Sequence, residues 1–270
     1  MKKNLTIFKV IKQSSTRGVL YFSLHQLKNI IRSPRRLRDY KKIIGRFANK
    51  YGIEIGGPSQ FFGRHGLLPI YQIASSVDNL NFSSVTLWTG SINKKSGYIV
   101  NGKIIGRQYI TDAIDCHGVG QRRYDFVLSC NSLEHIANPL RAVKKWSGLL
   151  RRNGLLLIVV PRKESNFDHR RAVVEFEHLI TDYKNNTGEC DMKHLAEILK
   201  LHDLRLDLPA GTSIQFKKRS EANLYNRCLH HHVFDESVLC KIYKYFDLSI
   251  LNTITTHTDY IIIGKKKAKR

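Results

Sequence analysis

The stretch Gly52-Ile-Glu-Ile-Gly-Gly-Pro-Ser59 limits the choice of fold more than any other part of the chain. Tyr51, Ile53 and Ile55 supply β-preferring bulk for a short buried strand. Gly56 and Gly57 then allow a turn with backbone dihedrals, and a close ligand approach, that a Cβ would forbid. Pro58 fixes φ and can open the next turn or helix. A strand that breaks into such a turn is a place for a nucleotide-like ligand. Glu54 is the odd member, a carboxylate inside an apolar strand; burying it unpaired is costly, so a backbone or Arg donor is expected beside it.

The remaining pattern alternates strand with helix. Ile70 to Phe82 ends in a strand that carries Asp78, about 20 residues past the glycine turn, where a doubly wound sheet places its ribose contact. Residues 85–106, rich in Gly and Asn, read as a small β-hairpin excursion. Tyr109 to Ala113 and Tyr124 to Cys130 read as further strands. A helix from about Pro139 through Leu150 stops at Asn153-Gly154, and Leu155 to Val160 is an unbroken apolar run closed by Pro161, as in a strand buried on both faces. Residues 162–229 interrupt this alternation with helical stripes at Val173/Phe176/Ile180/Tyr183 and Leu195/Ile198/Leu199. Asp235 caps a helix through Phe246, and Leu248–Thr255 with Asp259–Gly264 form an antiparallel hairpin. The expected fold is therefore α/β, a doubly wound, mostly parallel sheet with a C-terminal antiparallel hairpin and a helical insertion after strand 5.

Charge is concentrated at the ends. Of the net +23, residues 1–50 carry +13 and residues 265–270 carry +5. The body is only mildly basic, which argues against a nucleic-acid enzyme, whose basic residues surround its cleft. Leu20, Leu24, Leu27 and Ile31 form one helical stripe and Leu37, Tyr40, Ile44 and Phe47 a second, among Arg35, Arg36, Arg38, Lys41 and Lys42. Such a basic amphipathic extension (1–49) docks on the core, on a partner or on an anionic membrane. No apolar run reaches the length of a membrane span, and no compact leader opens the chain, so a cytoplasmic location with peripheral contact at the inner membrane face is expected. The five scattered cysteines lack a C-x-x-C pair and suggest reduced thiols.

Over roughly residues 50–162 and 230–264 the chain resembles the class I S-adenosylmethionine-dependent methyltransferases. The resemblance is carried by Glu54-Ile-Gly-Gly-Pro-Ser59, Thr111-Asp112-Ala113, Tyr124-Asp-Phe-Val-Leu-Ser129 with Leu133-Glu134-His135-Ile136, Arg152-Asn-Gly-Leu155 and the terminal hairpin. Phe167-Asp-His-Arg-Arg171, Leu201-His-Asp203 and Cys228-Leu-His-His-His-Val-Phe234 are similar to a bacterial subgroup associated with surface-polysaccharide gene sets. Pro58-Ser59 departs from the family by replacing its third glycine.

The resemblance implies S-adenosyl-L-methionine as cofactor, with Glu54, Gly56 and Gly57 at the methionine end. Asp78 would take the ribose, Asp112 and Ala113 the adenine edge, and Ser129 and Asn131 the floor beneath the methyl. It further implies methyl transfer to a small-molecule acceptor, and a sugar or sugar-nucleotide hydroxyl is expected. His135, just past the fourth strand, and His169 are the candidate bases. The alternative for His135 and Glu134 is that they cap the next helix. Asp168, Arg170 and Arg171 are expected to grip an anionic acceptor from a lid over 162–229; otherwise those arginines pair with Glu175, Glu177 or Asp182. No metal is assigned, because a strand through His230, His231 and His232 would offer two ligands at most to one face. Two other classes compete: a nicotinamide-dependent oxidoreductase, which needs a Gly-x-Gly-x-x-Gly that Gly56, Gly57 and Gly63 do not make, and a non-catalytic membrane-associated or partner-binding module.

Overall fold

The computed structural model describes residues 16–86, 88, 90–93 and 96–267. The first fifteen residues of the basic extension and the last three of the basic tail lie outside the described residues. A seven-stranded sheet organises the rest. In chain order its strands are β1 (Tyr51–Ile55), β2 (Ser76–Asn81), β3 (Gln108–Ile110), β4 (Tyr124–Cys130), β5 (Leu150–Pro161), β6 (Leu248–Thr255) and β7 (Asp259–Lys266). They lie side by side as β6-β7-β5-β4-β1-β2-β3. The pairs among β1 to β5 are parallel, while β7 runs antiparallel to both β5 and β6. The order reverses between β1 and β4, and the carboxyl ends on either side of that point open one crevice.

Strand alternation sorts the side chains into two cores. Ile53, Ile55, Leu80, Tyr124, Val127, Leu156, Ile158 and Val160 face one way, onto Leu140, Val143 and Trp146 of the helix Pro139–Leu149 and Ile242 and Tyr243 of the helix Glu236–Tyr245. Val77, Phe126, Leu128, Leu155, Leu157 and Val159 face the other, against Leu37, Ile43, Phe47, Phe62 and Tyr71. β5 is thus buried on both faces, as its apolar run predicts. Asn138 caps the first of these helices by accepting from Arg141 N, so Glu134 and His135 are not its cap. Asp235 does the same for the second through Val238 N. The first of these helices ends at Leu149 rather than at Asn153-Gly154; Asn153, with a left-handed φ of 62°, lies inside β5, where the register against β4 slips between Leu150 and Leu155. Residues 85–106 form two small antiparallel ribbons rather than a single hairpin.

The two N-terminal stripes have different fates. Leu37, Ile43 and Phe47 are buried in the second core, so residues 37–47 are part of the domain's packing. The helix Thr16–Arg32 leaves Leu20, Leu24, Leu27 and Ile31 between 50% and 72% exposed. It touches the body through His25, which donates to the Ser165 carbonyl, and Tyr21, beneath the Arg205 guanidinium. No helix of the described residues is long and apolar enough to cross a membrane.

The insertion carries the helices Phe176–Lys184, Leu195–Leu201, Ser213–Glu221 and Asn223–Asn226. The segment through His230, His231 and His232 is extended but forms no strand. Period-two reasoning therefore fails there, and each histidine takes its own direction.

Candidate active site

The carboxyl ends of β1, β2, β3 and β4 open onto a cavity of about 430 Å³. Gly56, Ser59, Gln60 and Phe61 line it from the first turn, and Asn81, Phe82, Asp112, Ala113 and Asn131 from the later strand ends. Trp88 and His135 close one side, and Glu189 and Arg227 reach in from the insertion. Gly56 has φ of 88°, and a Cβ built on it would lie 2.4 Å from Ser132 Oγ. Glycine is required there for both reasons.

Several expected positions are corrected by these placements. Glu54 is fully buried beneath the turn and does not line the cavity; its Oε2 accepts from the hydroxyls of Tyr71 and Tyr98. Burial pushes its carboxyl up, against the pull of those two donors. The donors that a buried carboxylate demands are thus two tyrosines rather than backbone or Arg. Gly57 also stays outside the lining, and its need for glycine is internal, since a Cβ there would meet Glu54 Oε2 at 2.0 Å. Asp78 lies three residues before the end of β2, on the face of Tyr124. It is spent on Tyr124 Oη at 2.7 Å and Arg107 N at 2.8 Å. The residue at that strand's end is Asn81, which the expected spacing of an acid misses. Asn81 Nδ2 donates to the Gly57 carbonyl, and its Oδ1 is buried without a partner. Ser129 is fully buried inside the sheet, and Cys130, Asn131 and Ser132 line the cavity instead.

The lid's arginines are not free. His169 Nε2 and Arg170 both reach Asp203 Oδ2, at 3.1 and 3.2 Å, and Arg205 joins them. Arg171, 3% exposed, holds Asp168, Glu197 and the carbonyls of His230 and His231. Asp168 in turn binds His230 Nδ1 at 2.5 Å. His169, Asp168, Arg170 and Arg171 therefore hold the insertion together and stand outside the cavity lining. Their partners are Asp203, Glu197 and Asp168, not Glu175, Glu177 or Asp182. The three sequence stretches that carry the subgroup resemblance meet in this knot, where Phe167 also stacks on His202 with ring centroids 4.4 Å apart.

His135 is placed differently. Its Nδ1 donates to the Leu229 carbonyl at 3.1 Å, since a carbonyl can only accept. The neutral ring's lone pair is then on Nε2. Burial, with the neighbouring His230, holds its pKa well below the usual imidazole range. Its ring stacks on Trp88 at 6.1 Å.

Residues that sequence reasoning misses come chiefly from the insertion. Arg227 bridges Asp112 Oδ2 at 2.9 Å and Glu189 Oε2 at 2.6 Å, and its guanidinium lies over the Phe82 ring. Asp259, at the start of β7, also lines the cavity. Only the left-handed residue that Arg227 represents, with φ of 52° at a helix end, is unusual locally, and that is not visible in sequence. Metal-capable groups occur twice among the described residues: Glu134, His135 and His230 beside the cavity, and His178, His194 and His232 away from it.

The donor set fits an S-adenosyl group. Asn81 Oδ1 is buried without a partner and would accept from a ribose hydroxyl, the Phe82 ring belongs to the same lining, and Gly56 has no side chain to obstruct an amino-acid end. The model of a family described as methyltransferase domain matches residues 92–227, just over half of the 270. No curated protein matches the sequence. Among solved structures, the chain is similar to an S-adenosylmethionine-dependent methyltransferase from Mesorhizobium loti, with 12% identity over 84% of this chain and 96% of the other, at a TM-score of 0.48. One from Methanosarcina mazei gives 14%, 87%, 100% and 0.45. A Burkholderia thailandensis 1,6-didemethyltoxoflavin-N1-methyltransferase, solved with S-adenosylhomocysteine, gives 10%, 86%, 78% and 0.46. With half its length matching that family model and its strand ends converging on such a cavity, the chain belongs to the methyltransferase domain family, as an S-adenosylmethionine-dependent enzyme of class I.

Proposed function

We propose that this enzyme methylates a hydroxyl oxygen on a small uncharged acceptor of the sugar class, with His135 as general base. The observation that carries this is the His135 Nδ1 bond to the Leu229 carbonyl, which leaves Nε2 as the ring's basic atom on a residue lining the cavity. The cofactor supplies an electrophilic methyl on a sulfonium. The chain aligns the acceptor oxygen and takes its proton; Asn81, Asp112, Ala113 and Asn131 hold the nucleoside side, and Gly56, Ser59 and Gln60 the amino-acid side. Trp88 gives the acceptor an aromatic face. Three carboxylates, Asp112, Glu189 and Asp259, line the cavity against one guanidinium, Arg227, which favours an uncharged polyol over a phosphate ester. The sugar-nucleotide reading loses its support with Arg170 and Arg171 engaged elsewhere. His135→Gln is expected to lower kcat roughly 100-fold or more while S-adenosylmethionine affinity stays within about twofold. His169→Ala is expected to leave turnover unchanged. A screen with free sugars, sugar nucleotides and amines decides the acceptor; turnover on amines alone, or full kcat in His135→Gln, refutes the reading.

Peripheral membrane contact is supported by the helix Thr16–Arg32. Leu20, Leu24, Leu27 and Ile31 are exposed, and Arg32, Arg35 and Arg38 beyond them are exposed too. An apolar row next to cations suits an acidic lipid surface, at about 1 kcal/mol for each cation close to it. Leu24→Glu with Ile31→Glu is expected to abolish sedimentation with phosphatidylserine vesicles at low salt. Absence of wild-type binding under those conditions refutes the contact.

A further inference from the structure

Outside the methyl-transfer cavity, three imidazoles converge, two from the insertion and one from the segment that follows it. His178 sits on the helix Phe176–Lys184, His194 just before the helix Leu195–Leu201, and His232 on the extended segment that follows. One ring nitrogen from each lies within 4.8 Å of the other two. His178 Nε2 and His194 Nε2 are 3.1 Å apart, close to the edge of about 3.3 Å that a tetrahedron with zinc–nitrogen bonds of about 2.0–2.1 Å requires. The three rings border a cavity of about 230 Å³ beside Glu175, Glu197 and Arg171.

The hydrogen bonds around them assign the lone pairs. His232 Nε2 is 3.2 Å from the Ala137 carbonyl and must donate to it, so the ring's lone pair is on Nδ1, which is buried without a partner. His194 Nδ1 faces Glu197 Oε2 at 3.8 Å, and Arg171 fixes the other oxygen of that carboxylate. A carboxylate behind one ring nitrogen orients the other toward a metal. Asp182, one turn along the helix from His178, adds an Oδ2 that is buried with no hydrogen-bond partner. It lies 3.2 Å from His178 Nε2 and 3.7 Å from His232 Nε2. The orphaned His232 Nδ1 among three converging imidazoles is explained by a cation, and Asp182 adds negative charge beside the group.

We propose that His178, His194 and His232 bind one zinc ion in a tetrahedral site that ties this part of the chain together. Three imidazole nitrogens suit zinc, and a water completes the tetrahedron. The ion joins the helix Phe176–Lys184, the loop before His194 and the segment through His232. That segment also supplies Leu229 and His230, the neighbours of His135. The site stands on its own residues and does not depend on the acceptor reading.

The test uses the full chain, stripped of metal with a chelator and titrated with Co²⁺, then with Zn²⁺ in competition. One equivalent of Co²⁺ is expected to give the strong visible absorption of a tetrahedral site, and Zn²⁺ to displace it and raise Tm. His178→Gln and His194→Gln, both at partly exposed positions and checked for folding by circular dichroism, are expected to weaken binding roughly 100-fold or more and to lose the Tm response. Glu134→Gln is expected to keep both. The proposal is overturned if no stoichiometric tetrahedral signal forms. It is equally overturned if the signal survives His178→Gln and His194→Gln, or disappears with Glu134→Gln.

Discussion

Gly56→Ala is the substitution whose cost can be worked most directly. At φ of 88° a non-glycine residue carries backbone strain of about 1–2 kcal/mol. The new Cβ would also stand 2.4 Å from Ser132 Oγ, far inside contact distance. That hydroxyl is not free to move at no cost, because it donates to the Ile55 and Cys130 carbonyls at 3.1 and 3.2 Å. Displacing it forfeits about 1 kcal/mol of hydrogen bonding. The sum is roughly 2–3 kcal/mol, which appears either as a Tm lower by several degrees or, if the turn yields into the cavity, as about 30- to 150-fold weaker cofactor binding. Calorimetric titration with S-adenosylhomocysteine, run beside thermal denaturation, separates the two. The steric part is tested with Ser132→Ala: if Oγ is what the methyl meets, the double variant costs about 1 kcal/mol less than the two single costs added together. Unchanged Tm and affinity in Gly56→Ala, or strict additivity in the double variant, refutes the argument.

Asn81→Leu is expected to weaken S-adenosylhomocysteine binding about tenfold by removing the unpaired acceptor at the end of β2, while Asp78→Asn leaves affinity within about twofold and lowers stability; equal affinity losses in the two would restore Asp78 to the site. Asp203 accepts from Arg205, His169 and Arg170, and the Arg205 guanidinium above all holds its carboxyl well below the usual range. Its folded pKa being depressed, the stabilisation is complete above the unfolded value near 3.9 and is lost as pH falls through the lower, folded one. Asp203→Asn is expected to cost roughly 1–3 kcal/mol at pH 7 and to flatten the acid limb of a Tm-against-pH curve; an unaltered limb counts against the knot.

What could be read from sequence was set by local rules. Strand alternation, the apolar run of β5 and the cap at Asp235 depend on neighbours a few residues away, and they come out as the pattern predicts. The parallel body and its antiparallel edge follow from the alternation of strand with helix and from the terminal hairpin. Of the residues expected at the site, Gly56, Asp112, Ala113, Asn131 and His135 do line the cavity, at a turn where glycine is obligatory and at strand ends or just past them. It was not legible where parity or partner choice decides. Glu54 and Asp78 occupy plausible positions along the chain, but alternation turns each onto a sheet face where tyrosines claim it. Asn81 escapes notice because the spacing rule looks for an acid, and the residue at the end of β2 is an amide. The insertion was the hardest part, since Asp203, Glu197 and Asp168 compete for the same arginines and no spacing rule ranks such distant partners.

The Arg227 bridge has a bearing on how this enzyme can be rebuilt or diversified. A guanidinium from the insertion rests on a carboxylate of the nucleotide-binding half, and the two residues are 115 positions apart. The insertion is thus not an interchangeable module. A chimera that imports another enzyme's insertion onto this sheet would leave Asp112 and Glu189 facing each other's charge unless it also carries a cation at the same place. On the proposed acceptor reading, a new acceptor range in this scaffold should arise by changes around Trp88 before wholesale exchange of the insertion.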